Sequence, residues 1–147
     1  MPYKKLLVAV DLSEEADQIL DKATEVARQN DAELSFVTVI RPLNQVYGGF
    51  DMVGISSDSA VLEQEAVKQA ETMLEEHANS YDGKVGQVKV FQGSPSFEIK
   101  EFAESLGADL IIMGSHGRHG LGRLLGSTAN GVLHGTPCDV LTVKIKH

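Results

Sequence analysis

Two hydrophobic rhythms alternate along the chain. Lys4 to Asp11 reads KKLLVAVD, a short continuous apolar run with β-branched members that ends at an acid, the pattern of a strand covered on both faces. Ser13 then stands as a helix cap with Glu14 and Glu15 in the first turn, and Ala16, Ile19, Leu20, Ala23, Val26 and Ala27 recur at helical spacing. Leu34 to Ile40 (LSFVTVI) predicts a second buried strand. Arg41 to Ser59 comes next without clear periodicity, holding Pro42, Gly48, Gly49 and Gly54; a connection this long in a compact domain points to function or mobility.

Leu62, Ala66, Ala70, Met73, Leu74 and His77 form the next helical stripe, and Gln87 to Phe91 reads as a weak strand. Ser94-Pro95 is a cap followed by proline at the first helical position, opening a helix that carries Ile99, Phe102, Ala103 and Leu106 and stops at Gly107. Asp109 to Met113 (DLIIM) is a fourth strand, Ser127 to Leu133 a short helix, and Cys138 to Ile145 (CDVLTVKI) a fifth strand. With no linker, repeat or low-complexity tract, residues 1–147 read as one α/β domain: a parallel sheet with helices on both faces. In such sheets ligands sit beyond the carboxyl ends of the strands, where strand order reverses. Attention therefore falls on Asp11, on Val39 and the residues after it, on Gly93, and on Gly114 onward.

Gly114 to Asn130 reads GSHGRHGLGRLLGSTAN. Its glycines let backbone amides approach an anion, and a helix opening at Ser127-Thr128 would point free N–H groups at it. Arg118 and Arg123 would add charge-assisted contacts, and Ser115, Ser127 and Thr128 hydroxyl donors. The competing reading is that the glycines only permit a sharp strand-to-helix excursion with solvated basic residues; spacing alone leaves both open. No Gly-Lys-Ser/Thr occurs, and VAVDLS after the first strand lacks the glycines of a dinucleotide fingerprint.

Composition narrows the classes. Forty-two per cent hydrophobic and 23% charged residues are ordinary for a globular chain, while the net charge of -8 disfavours nucleic acid and anionic membranes. The amino-terminal apolar run is too short for a signal peptide or a membrane span, and one cysteine, Cys138, allows no internal disulfide, so the chain reads as cytoplasmic. His116, His119, His134 and Cys138 lack the tight spacing and intervening acid of a metal site, and Ser115-His116 lacks a nucleophile elbow. Cys138 is read as inert, and Glu98, Glu101 and Glu104 as a solvated helix face.

LLVAVDLSEEA at the start, Gly93-Ser94-Pro95, and ADLIIMGSHGRHGLGRLLGSTANGVLHGTPCDVLTVK at the end resemble the universal stress protein family over essentially the whole chain. The resemblance implies a five-stranded parallel sheet of order 3-2-1-4-5, homodimers through the last strand and, in one branch, ATP held by a Gly-x2-Gly-x9-Gly-Ser/Thr motif. By position, Asp11 and Val39 would flank adenine and ribose, and Gly114, Gly117, Gly126, Ser127 and Thr128, with Arg118, would hold phosphates. The ligand is then ATP or AMP, with or without Mg, and the protein a dimeric regulatory module with a further protein partner. Eight residues separate Gly117 from Gly126 where the motif has nine; another branch lacks the glycines and binds no ATP, so a non-nucleotide-binding dimeric interaction protein is the alternative. No motif lysine is present and no acid lies between Gly114 and Asp139, so the loop reads as equipped for binding and poorly for phosphoryl transfer.

Overall fold

β1 (Lys5–Val10) occupies the middle of the sheet, hydrogen-bonded to β2 (Glu33–Ile40) on one edge and β4 (Leu110–Gly114) on the other, all parallel. The computed structural model describes residues 2–11, 13–42, 56–115 and 126–146 and, within these, the side chains of all but 56–59. β3 (Val85–Gln92) flanks β2 and β5 (Asp139–Val143) flanks β4, which gives the order β3-β2-β1-β4-β5. Helices α1 (Ala16–Asn30), α2 (Ser56–Ser80), α3 (Pro95–Leu106) and α4 (Ser127–Leu133) complete the α/β alternation.

Strand parity sorts the core into two layers, because successive side chains point to opposite faces. Leu6, Val8, Val10, Leu34, Phe36, Leu110 and Ile112 pack with Ile19, Leu20, Ala23 and Ala27 of α1 and Leu74 and Ala78 of α2. Leu7, Ala9, Val37, Ile111 and Met113 pack with Ile99, Phe102 and Ala103 of α3 and Ala129 and Val132 of α4. Phe36 is fully buried, and truncating such a side chain to alanine costs about 3–5 kcal/mol.

Several sequence expectations shift. The first helix begins at Ala16 with Glu15 at its N-cap, and Ser13 serves instead through its carbonyl, which accepts the Ala16 N–H at 3.2 Å. Leu62, placed in the α2 stripe, is 59% exposed, because α2 packs on the sheet only from further along its length. β5 ends at Val143; Ile145 leaves the strand and is buried in the α1 and α2 layer, where Gln18 pairs with Lys146 through both its amide oxygen and nitrogen, at 2.9 and 2.7 Å. Gly48, Gly49 and Gly54 lie outside the described residues.

β3 is longer than its sequence suggests and starts irregularly. Leu34 faces Val85 but Phe36 faces Val88, so two steps along β2 match three along β3, a bulge. The buried hydroxyl of Ser35 fills the interrupted ladder by accepting the Gln87 N–H at 2.9 Å. A Cβ on Gly86 would lie 2.3 Å from that oxygen. Ser35→Ala and Gly86→Ala therefore abolish the same bond, the second by displacing the hydroxyl. Leaving the Gln87 donor unpaired costs about 1–3 kcal/mol, and a double-mutant cycle in urea should give a combined loss smaller than the sum of the singles by about 0.5 kcal/mol or more. Additive losses would show that the two residues act separately.

Candidate functional site

The β1/β4 boundary is where strand order reverses, and the residues there are fixed by backbone bonds. Ala9 pairs with Met113, so Asp11 and Ser115 leave the sheet side by side. Asp11 is half-buried and accepts the Ser13 N–H through Oδ1 at 3.2 Å, an Asx turn; among the described residues its other oxygen has no partner. Thr38, 1% exposed, donates its hydroxyl to the Val10 carbonyl and locks the end of β1 to β2. By parity Asp11 and Val39 both belong to the α3 and α4 face.

Ser115 closes the base of the glycine-rich segment. Its N–H donates to the Val143 carbonyl at 2.9 Å, and its carbonyl accepts the Gly126 N–H at 2.7 Å. The chain thus leaves β4 at Gly114 and returns at the first residues of α4, with Gly126 as N-cap. Gly117, Arg118, Arg123, His116 and His119 lie outside the described residues.

β3 contributes a second approach. Gly93, whose N–H donates to the Ile40 carbonyl at 3.0 Å, has φ 149°, a conformation that side chains rarely adopt. It turns the chain into Ser94 and Pro95, the N-cap and first residue of α3. The Ser94 hydroxyl makes no capping bond. α3 and α4 meet closely: a Cβ on Gly131 would lie 2.6 Å from the Ser96 side chain.

An open cavity of about 280 Å³ lies there, lined by Arg41, Ser94, Pro95, Ser96, Ser127 and Thr128. The structure thereby brings Ser127 and Thr128 together with Arg41 and the start of α3, whereas Asp11, Val39, Gly114 and Gly126 lie outside that lining. Arg41 and Ser96 were missed in sequence reasoning; the signal was the switch-point rule itself, which directs attention past Val39 and to Gly93. The side chains of the lining residues include one guanidinium and four hydroxyls and no carboxylate, a set that can donate to an anion without opposing its charge.

A family model described as "Universal stress protein family" matches residues 2–144. The chain belongs to the universal stress protein family. Two relatives from Coxiella burnetii, universal stress protein A homologs 1 and 2, are 39% and 41% identical over 146 residues, covering 99% and 98% of this chain and 99% and 97% of theirs. UspA from Lactobacillus plantarum shares the fold at 22% identity, TM-score 0.78, over 99% of both chains. A universal stress protein solved in complex with cAMP is 23% identical, TM-score 0.66, over 98% of both. One from Archaeoglobus fulgidus in complex with dAMP is 21% identical, TM-score 0.58, over 99% of this chain and 100% of its own.

The remaining candidates have structural employment. His134 Nδ1 lies 2.7 Å from the Asn130 carbonyl, and no group of three metal-ligating side chains occurs among the described residues. Glu101 and Glu104 are exposed, while Glu98 turns back toward Gly93. Cys138 is half-buried against the α3 and α4 layer, and burial, then Asp109 and Asp139, push its thiol pKa up. A raised thiol pKa lowers the thiolate fraction at mildly alkaline pH. Cys138 should therefore react with a disulfide reagent at pH 8 more slowly in the folded protein than in urea; equal rates would mean an accessible, ordinary thiol.

Proposed function

We propose that this universal stress protein binds an adenine nucleotide, ATP or AMP, at the carboxyl end of the sheet and works as a cytoplasmic homodimeric module in a stress response. The observation that supports the reading is the carboxyl end of β1 and β4, where Asp11 and the Ser115–Gly126 hydrogen bond adjoin and α4 opens with Ser127 and Thr128 in the lining of a cavity that also holds Arg41. The cAMP and dAMP complexes of relatives with this fold point to the same ligand class. In this reading Asp11 and Val39 take the nucleoside, and Gly114, Gly117, Arg118, Gly126, Ser127 and Thr128 take the phosphates. Mg would accompany ATP through its phosphates. The short Gly117–Gly126 spacing is the one observation that favours the alternative, a dimeric interaction protein without nucleotide. Among the described residues no helix is long and apolar enough to cross a membrane, and a single cysteine with no internal partner suits the cytoplasm.

Dimerisation is assigned to β5. An edge strand needs a partner or a deterrent: β3 carries a bulge and Lys89 within its length, whereas β5 has its one charge, Asp139, at its first residue and continues through the uncharged Val140, Leu141, Thr142 and Val143. Sedimentation equilibrium at micromolar protein should give twice the 15.9 kDa chain mass; a monomer would remove the assignment.

Calorimetry tests the ligand. Wild-type protein should bind ATP or AMP at or below millimolar concentration, and Asp11→Ala should weaken binding about ten- to hundredfold, the loss of a charge-assisted hydrogen bond, with unfolding midpoints in urea little changed. Absence of heat for both nucleotides at millimolar ligand would leave the interaction-protein reading.

A further inference from the structure

The two arginines among the described residues, Arg28 and Arg41, differ in their surroundings. Arg28 is engaged with Asp82 at 3.0 Å, where it holds that carboxyl below its usual range. Lys22 and Lys84 face Glu25 and Glu33. Arg41 is exposed and has no acidic partner among the described residues, in a chain of net charge -8 where acids outnumber bases. Its position is fixed by the end of β2, since the preceding carbonyl, Ile40, accepts the Gly93 N–H. Ser94 and Ser96 at the start of α3 and Ser127 and Thr128 at the start of α4 line the same cavity, and the two helices meet closely where Gly131 faces the Ser96 side chain.

Sites that take a whole small molecule run about 300–1,000 Å³, and this open cavity of about 280 Å³ falls just below that range. Its volume suits a phosphate group or two, and Asp11 and Val39, read above as the nucleoside contacts, are not among its lining residues. The Glu98 carboxylate, on the first turn of α3, lies against Gly93, and Glu98 is not among the lining residues.

We infer that Arg41, with the hydroxyls of Ser94 and Ser96, forms a subsite for the terminal phosphates of the nucleotide and makes affinity depend on phosphate number. This rests on the nucleotide-binding reading above, and it joins the residues after β2 and before α3 to Ser127 and Thr128 at the start of α4. Guanidinium takes two phosphate oxygens at once in a planar fork, which an ammonium does not.

Calorimetry with adenosine, AMP and ATP on wild type, Arg41→Gln and Arg41→Lys tests it. Wild-type affinity should rise from adenosine to ATP. Arg41→Gln should leave adenosine unchanged and weaken ATP about ten- to hundredfold, with Arg41→Lys recovering part of the loss. ATP binding unaffected by Arg41→Gln, or adenosine and ATP weakened equally, overturns the inference while the nucleotide reading stands. If wild type binds none of the three at millimolar ligand, the nucleotide reading has failed, and inorganic pyrophosphate decides separately. Amide resonances of Ser94, Ser96 and Thr128 that shift with pyrophosphate in wild type but not in Arg41→Gln retain an anion subsite; no shift in wild type overturns it.

Discussion

The double pairing of β1 is the constraint on which the rest depends. A parallel strand hydrogen-bonded on both edges and covered on both faces has no polar surface left, and KLLVAV meets that demand with five successive buried residues. Its neighbours diverge: the chain moves from β1 to β2 across one face through α1, and from β4 to β5 across the other through α4. Right-handed crossovers in opposite lateral directions require opposite faces. The connections after β1 and β4 therefore splay apart, and the crevice between them is a consequence of topology. Thr38, buried beneath it, fixes the lip by bonding the last carbonyl of β1.

Charge then decides what the cavity between the end of β2 and the starts of α3 and α4 accepts. A net charge of -8 creates a field that repels anions at long range, but at about 0.15 M salt the screening length is about 8 Å. Within that distance local donors dominate. The cavity wall presents Arg41 and four hydroxyls without a carboxylate, so an anionic group that arrives is met by donors.

Legibility in the sequence tracked burial. β1, β2 and β4 read as continuous apolar runs because both faces are covered, and that coverage places them inside the sheet. β3 read weakly because it is an edge strand with alternating exposure, and its bulge puts one residue out of phase, so Val85 and Gly86 fell outside the apolar pattern. Ser13 looked like a cap by type, yet the turn built on Asp11 occupies the preceding residues and delays the helix to Ala16. Ser127 and Thr128 were found through the glycine spacing. Arg41 was not, since a single cation after a strand carries no periodic signal and acquires meaning only when β2 and β3 end together at Ile40 and Gly93.

The pinned base also bears on the shortened glycine spacing. Two hydrogen bonds tie Ser115 to Val143 and to Gly126, and α4 packs through Ala129 and Val132 into the α3 and α4 core layer. The ends of residues 116–125 are thus held by contacts that do not involve those residues. Removing one residue from a connection of about ten changes its closure free energy by about 0.1 kcal/mol, far below the contribution of the bonds at its base. The bonds and packing that position Gly126, Ser127 and Thr128 are made by residues on either side of the segment, so the shortened spacing bears on the proposed contacts of Gly117 and Arg118 and not on that frame.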